Sequence, residues 1–178
     1  MQDRKTVKLI KKVKKGNQQS FKQLYDLYAD YSLRTAYGIT GNISDAADIV
    51  QETFIKVYRH IDSYDSEKPF KPWFYRILIN ESRRLLKKRS KDAISVESEQ
   101  MLDSLHGHET NQLDLDSLHD AIEQLDAKHR TIIILKYLNG FKEKEIAEIF
   151  DMNVNTVKSR LYQARQRLKE ILGGGKLE

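Results

Sequence analysis

The stretch KEKEIAEIFDMNVNTVKSRLYQARQRLKEIL, from Lys142 to Leu172, decides how this chain is read. Ile146, Ala147, Ile149 and Phe150 give a short helix one apolar face, and a break follows at Asp151-Met152-Asn153. Val154, Val157, Leu161, Ala164 and Leu168 then line one stripe of a longer helix. At about 100° per residue, Asn155, Ser159, Gln163 and Gln166 fall on the opposite face, flanked by Arg160 and Arg167. Five basic residues and no acidic one lie between Asn155 and Lys169. A second helix that is apolar behind and bears amides, hydroxyls and guanidinium groups in front suits the DNA major groove. Asn and Gln can read adenine, Arg can read guanine, and other cations hold phosphates. The pattern predicts a helix-turn-helix. Without DNA it would be a helical hairpin with a solvated basic face, and by itself it does not say what the protein does once bound.

Outward from this stretch the chain stays helical. Its 178 residues hold two prolines and eight glycines, few breakers for so much 3.6-residue periodicity. No alternating strand pattern and no internal repeat occurs. Helices are predicted at about 4–15, 18–38, 44–61 and 70–89, then at 115–125, 128–138, 142–149 and 153–171, with Asn17 and Ser44 as N-caps. The fold class is all-α.

Charge divides the chain. The N-terminus is basic from Arg4 to Lys15, and Arg76, Arg83, Arg84, Lys87, Lys88, Arg89 and Lys91 crowd the end of the fourth helix. From Asp92 to Asp126 there is no Lys or Arg at all, and the chain is basic again from Lys128. The Ser-, Asp- and Glu-rich stretch after Ser90 reads as a flexible acidic linker. The expected organisation is a helical domain over 1–90, a linker over 91–114, a second helical domain over 115–172 and a disordered tail over 173–178. Domains this small have thin cores, so a partner that covers apolar surface matters.

Composition also excludes functions. The net charge of +5 favours an acidic partner, nucleic acid first. The absence of cysteine removes disulfides, thiolate metal sites and cysteine catalysis, and fits a reducing cytoplasm. No apolar run is long enough to span a membrane, and no signal core follows the basic N-terminus. The glycines form no phosphate-binding loop. His106-Gly-His108-Glu109 is the one metal-like cluster, without further ligands nearby. No metal, cofactor or catalytic residue is expected.

The segment Phe70 to Arg89 combines aromatic and basic residues. Helical phase puts Trp73, Arg76, Asn80, Arg84 and Lys87 on one stripe, with Phe74, Leu78 and Leu85 on a buried stripe beside it. Trp73 is either a plane on which single-stranded bases stack or a cap on the core. The preceding helix is the electrostatic opposite. Asp45, Asp48, Glu52 and Arg59 share one face, and Ala46, Val50, Phe54, Val57 and Ile61 the other. That face is either an ordinary solvated one, its first-turn acids favoured by the helix dipole, or a docking face for a basic protein.

Together these segments resemble the extracytoplasmic-function (ECF) sigma factors of bacterial RNA polymerase. Asp48-Ile-Val-Gln-Glu-Thr-Phe-Ile-Lys-Val-Tyr58 is similar to the family's polymerase-binding segment in region 2. Trp73-Phe-Tyr-Arg-Ile, with Asn80 and a basic tail, is similar to the part that melts and reads the −10 element. Leu125, Arg130, Leu135, Tyr137, Gly140, Glu145, Ile146 and Ala147 resemble the start of region 4, and Thr156-Val-Lys-Ser-Arg-Leu161 its −35 recognition helix. There are departures. Asp126 stands where the family often has Pro, Asp151 and Asn155 where it often has Gly, and Arg84 where it often has an acid.

The resemblance implies a non-enzymatic subunit that directs promoter-specific transcription. Asp45, Asp48, Gln51, Glu52 and Ile55 would dock on the clamp of the largest polymerase subunit. Trp73, Arg76, Asn80, Arg83, Arg84 and Lys87 would hold the single-stranded −10 element. Asn155, Thr156, Lys158, Ser159, Arg160, Gln163 and Arg167 would read the −35 duplex. The acidic linker would thread the polymerase channel that later carries RNA. The implied location is cytoplasmic, at the nucleoid when active or held at the membrane by an anti-sigma factor. A free-standing helix-turn-helix regulator is the alternative. It would normally dimerise on a palindrome and needs no basic-aromatic helix.

Overall fold

In the computed structural model, residues 4–95, 118 and 120–173 are described, and all regular structure among them is helical. The first unit holds α1 (Arg4–Val13), α2 (Gln18–Thr40), α3 (Ile43–His60) and α4 (Phe70–Ser95). The second holds α5 (Ala127–Ile133), α6 (Glu143–Phe150) and α7 (Val154–Gly173), after a helical turn at residues 120–123.

Caps set most of these boundaries. The Asn17 side chain accepts from the Ser20 N–H at 2.8 Å and starts α2. That helix runs past Gly38, where the sequence predicts its end, and stops at Gly41, whose φ of +66 closes the last turn on the Tyr37 carbonyl. Gly38 serves packing instead: a Cβ there would lie 2.9 Å from Ile134 Cδ1 of the second unit. Asn42, rather than the predicted Ser44, caps α3 by accepting from the Asp45 N–H at 3.0 Å. Both residue types cap well, and the break at Gly41 lets the helix begin earlier. α4 reaches Ser95 because no Gly or Pro interrupts it after Pro72. Residues 91–95 of the expected linker are therefore helical. The rest of that linker, with His106, His108 and Glu109, lies outside the described residues, as do residues 174–178 of the tail.

In the second unit Asp126 caps α5, accepting from the Lys128 and His129 N–H groups at 3.1 and 3.2 Å. After Ile133 the helix widens, and the Asn139 N–H bonds back five residues to the Ile134 carbonyl at 3.1 Å. Asp151 joins α6 to α7 in the left-handed region, with a φ of +54.

The sequence leaves the placement of the two units open; the structure packs them face to face around one continuous core. Ile39 of α2 and Tyr75 and Ile79 of α4 meet Ile134, Phe141 and Phe150 of the second unit within that core. Asn139 is buried at the seam. Its amide donates to Thr35 Oγ1 at 2.9 Å and to the Tyr75 hydroxyl at 3.1 Å, and its carbonyl accepts from Lys71 Nζ at 2.7 Å. Arg130 ties the Leu125 carbonyl at 2.9 Å and the Ile39 carbonyl at 3.4 Å across the same seam.

Candidate docking groove and nucleic-acid faces

On the side of the first unit away from this seam, α2 and α3 part to leave an apolar groove of about 830 Å³. Phe21, Tyr25 and Leu33 line one wall, and Val50, Phe54 and Tyr58 the other. Tyr25 and Tyr58 are 44% and 48% exposed, although the groove around them is apolar. An open aromatic groove of this kind marks a protein interaction site. The sequence reading missed it because the groove exists only between two helices. The exposed aromatic spacing of Phe21 and Tyr25 was the available signal.

Gln51 and Ile55 form a ridge between this groove and a smaller, polar depression holding Asp48, Glu52, Glu81 and Arg84. Four of the five predicted docking residues thus gather in one place. Asp45 does not join them. It is buried and forms an ion pair with Arg89 at 2.6 Å, fastening the start of α3 to the end of α4. Glu81 is likewise buried, held by Lys56 at 2.5 Å and Arg84 at 2.7 Å.

The α4 residues divide between two surroundings. Asn80, Arg84 and Lys87 are exposed. Arg76 is 3.7 Å from Asp151, and the Arg83 guanidinium lies 4.8 Å over the Phe150 ring, so both face the second unit. Trp73 is half-buried, its ring 5.1 Å from Tyr64 and 5.6 Å from Phe70. It caps the aromatic core with one part and lines a cleft with Ser63, Asp65, Lys68 and Arg76 with the other. The two readings of Trp73 are therefore compatible.

On α7 the buried stripe is Val157, Leu161 and Ala164. Asn155, Thr156, Lys158 and Ser159 are exposed at its N-terminal end. Asn153 makes the local turn bond, accepting from the Asn155 N–H at 2.8 Å, so the Asn155 side chain is not needed as a cap. Arg160 turns toward the seam, half-buried in a cleft with Ile39, Ile79 and Arg83. Arg167 bonds Asp126 at 2.7 Å, and Gln163 lies 3.5 Å from His129, so both lie beside α5. Burial alone would push the Asp126 carboxyl up. The bonds from the His129 ring and from the His129 and Lys128 backbones outweigh it and hold the group below the usual carboxylate range. Tyr162, 59% exposed, shares the outer face and was missed, since a lone Tyr carries no groove-reading signal.

Among the described residues no group of three or more His, Asp or Glu could hold a metal ion, and no helix is long and apolar enough to cross a membrane.

Two family models match the two units: Sigma-70 region 2 over residues 24–92, and Sigma-70 region 4 over residues 115–168. The ECF RNA polymerase sigma factor SigW of Bacillus subtilis is 34% identical, the match covering 93% of this chain and 95% of that protein. The ECF RNA polymerase sigma-E factor of Escherichia coli K12 is 33% identical, with 90% of each chain covered. The sigma factor RpoE of Bartonella quintana, solved in complex with the anti-sigma factor NepR, superposes with a TM-score of 0.74 at 29% identity. That match covers 87% of this chain and 98% of RpoE. This chain belongs to the ECF sigma factors of bacterial RNA polymerase. It acts as a sigma factor, directing transcription initiation and catalysing no reaction itself. The free-standing regulator accounts for the second unit alone and is set aside, since region 2 is present too.

Proposed function

We propose that the chain docks on the clamp of the largest subunit of core RNA polymerase through the ridge of Asp48, Gln51, Glu52 and Ile55 and the aromatic groove beside it. The observation that carries this reading is the meeting of an acidic depression and an apolar groove along one exposed ridge. Acidic residues steer a basic partner and set its register, while Tyr25 and Tyr58 supply desolvated contact area.

Once docked, α4 takes the non-template strand of the −10 element. Trp73 offers a stacking plane, and Arg76, Asn80, Arg83, Arg84 and Lys87 contact the backbone and bases. Opening the duplex costs stacking energy, which these contacts offset on a strand the polymerase already holds. α7 enters the −35 major groove with Asn155, Thr156, Lys158 and Ser159 leading, and Arg160, Gln163 and Arg167 at the flanks. Arg76, Arg83 and Arg160 face the seam in this structure, so the two units separate before all three reach DNA. Each unit alone binds weakly, and joint tethering to polymerase raises the effective concentration of the second contact. An anti-sigma factor, the partner class seen with the Bartonella relative, would hold the chain inactive in the cytoplasm by covering the docking groove.

The test is a folded Asp48→Arg, Glu52→Arg double variant titrated against core polymerase. Reversing both charges should abolish binding while the far-ultraviolet helical signal stays unchanged. Unaltered affinity in the folded variant would remove the docking assignment.

A further inference from the structure

The basic N-terminal segment has no role in the sites above, and α1 lies outside both matched family regions, the first of which begins at residue 24. α1 buries Thr6, Leu9, Ile10 and Val13 against the rest of the unit. At about 100° per residue, Arg4, Lys8 and Lys11 form one narrow row on the opposite side, Lys15 follows in the turn after Val13, and all four are exposed. No acidic residue occurs between Arg4 and Asn17. The row works against the helix itself. Arg4 stands at the positive end of the helix dipole, where a cation is unfavourable and an acid would stabilise. Repulsion along the i,i+3 and i,i+4 positions adds to that cost. A helix placed only to pack would gain by alternating charge.

The far end of the row is fixed to the −10 candidate face. Lys14 donates to the Tyr64 carbonyl at 2.7 Å and to the Asp62 carbonyl at 3.3 Å, and its Nζ lies 5.7 Å from the centre of the Tyr64 ring. Tyr64 is the ring packed on Trp73. Lys14 thus sets the C-terminal end of α1 beside the Tyr64–Trp73 pair. With a rise of about 1.5 Å per residue, Arg4 to Lys11 span about 10 Å of helix, the length of about three phosphate steps at ~3.4 Å of axis each.

We infer that α1 and the turn after it form a third nucleic-acid contact, in which Arg4, Lys8, Lys11 and Lys15 hold the phosphate backbone of promoter DNA continuing from the −10 element. The inference rests on the proposed −10 reading by α4. The contact is sequence-independent, since the three lysine ammonium groups and the Arg4 guanidinium are placed as point charges for phosphates, with no amide or hydroxyl among them. It adds affinity and salt dependence but does not choose the promoter.

The test is a Lys8→Gln, Lys11→Gln, Lys15→Gln variant of the full chain, which keeps helix propensity and removes three charges. It is reconstituted with core polymerase and bound to a promoter fragment with a pre-opened −10 segment across a salt series. The slope of log affinity against log salt should become shallower by about 2–3, at ~0.7–0.9 per lost phosphate contact. Promoter choice and polymerase affinity should be unchanged. A slope identical to that of the parent overturns the inference. So does a loss of polymerase affinity, which would assign the row to an acidic protein surface. Loss of binding to anionic vesicles, with the DNA slope intact, would assign it to a membrane. The chain alone, titrated with a labelled single-stranded oligonucleotide, gives the same comparison without polymerase. An unchanged slope there counts against the α1 row, whereas a parent chain that does not bind polymerase counts against the docking assignment.

Discussion

Asp151 occupies the left-handed region, with a φ of +54, at the turn between α6 and α7. Asp tolerates that region better than most residues but still bears a Cβ penalty of about 1 kcal/mol. Asp151→Gly should therefore leave stability unchanged or raise it by up to ~1 kcal/mol, and Asp151→Val should lower it by more than that, both read from urea midpoints. Tyr75 offers a test of the seam. Burial pushes its phenol from 10 up to about 12. The protonated ring stabilises the folded state, fully below pH 10 and decreasingly as pH rises through about 12. The whole effect is roughly 2–3 kcal/mol. Alkaline difference absorbance should show one tyrosine ionising last, and Tyr75→Phe should remove it. At this scale the sequence was legible in type but not in partner. It offered Trp73 as platform or core, and only its packing on Tyr64 beside an open cleft shows that one side chain can serve both.

Helical phase was the most legible feature of the elements. The stripes on α3, α4 and α7 fall where periodicity places them, because 3.6-residue geometry alone sets which residues share a face. What lies across from a face is not local. Asp45 and Asp48 look alike on α3, yet Arg89, 44 residues on, pairs with a buried Asp45 from the solvent side, while Asp48 stays exposed. This separates two substitutions that sequence would treat as equivalent. Asp45→Ala should cost about 1–2 kcal/mol of stability by removing a charge-assisted bond, its partner Arg89 remaining in water, and should weaken polymerase binding only in step with unfolding. Asp48→Ala should leave the urea midpoint within ~0.5 kcal/mol and weaken polymerase binding directly. Equal stability losses in the two variants would mean that the ion pair does not fasten α3 to α4. The groove of Tyr25 and Tyr58 was illegible for the same reason, since two helices must meet before it exists.

For the whole molecule, composition and periodicity gave an all-helical chain and the family resemblance its two regions in order, but neither gave their closure on each other. That closure rests on Gly38 meeting Ile134 and on Asn139 reaching Thr35 and Tyr75, contacts between residues 64 to 104 positions apart that no local pattern records. The hydrogen bonds of Asn139 within the seam suit units that must part, because water can replace them on opening and each nets only about 1 kcal/mol. Asn139→Ala should shift the closed–open balance by ~2–3 kcal/mol, on the order of a hundredfold, and raise the radius of gyration seen by small-angle scattering. An unchanged radius would mean that the apolar seam alone holds the units. The most direct measurement is run-off transcription by sigma-free bacterial core polymerase on genomic promoter fragments, with and without this chain. The expected result is a set of discrete transcripts that need both protein and polymerase, lost with Asp48→Arg, Glu52→Arg. No transcripts, together with tight duplex binding by the chain alone, would contradict it.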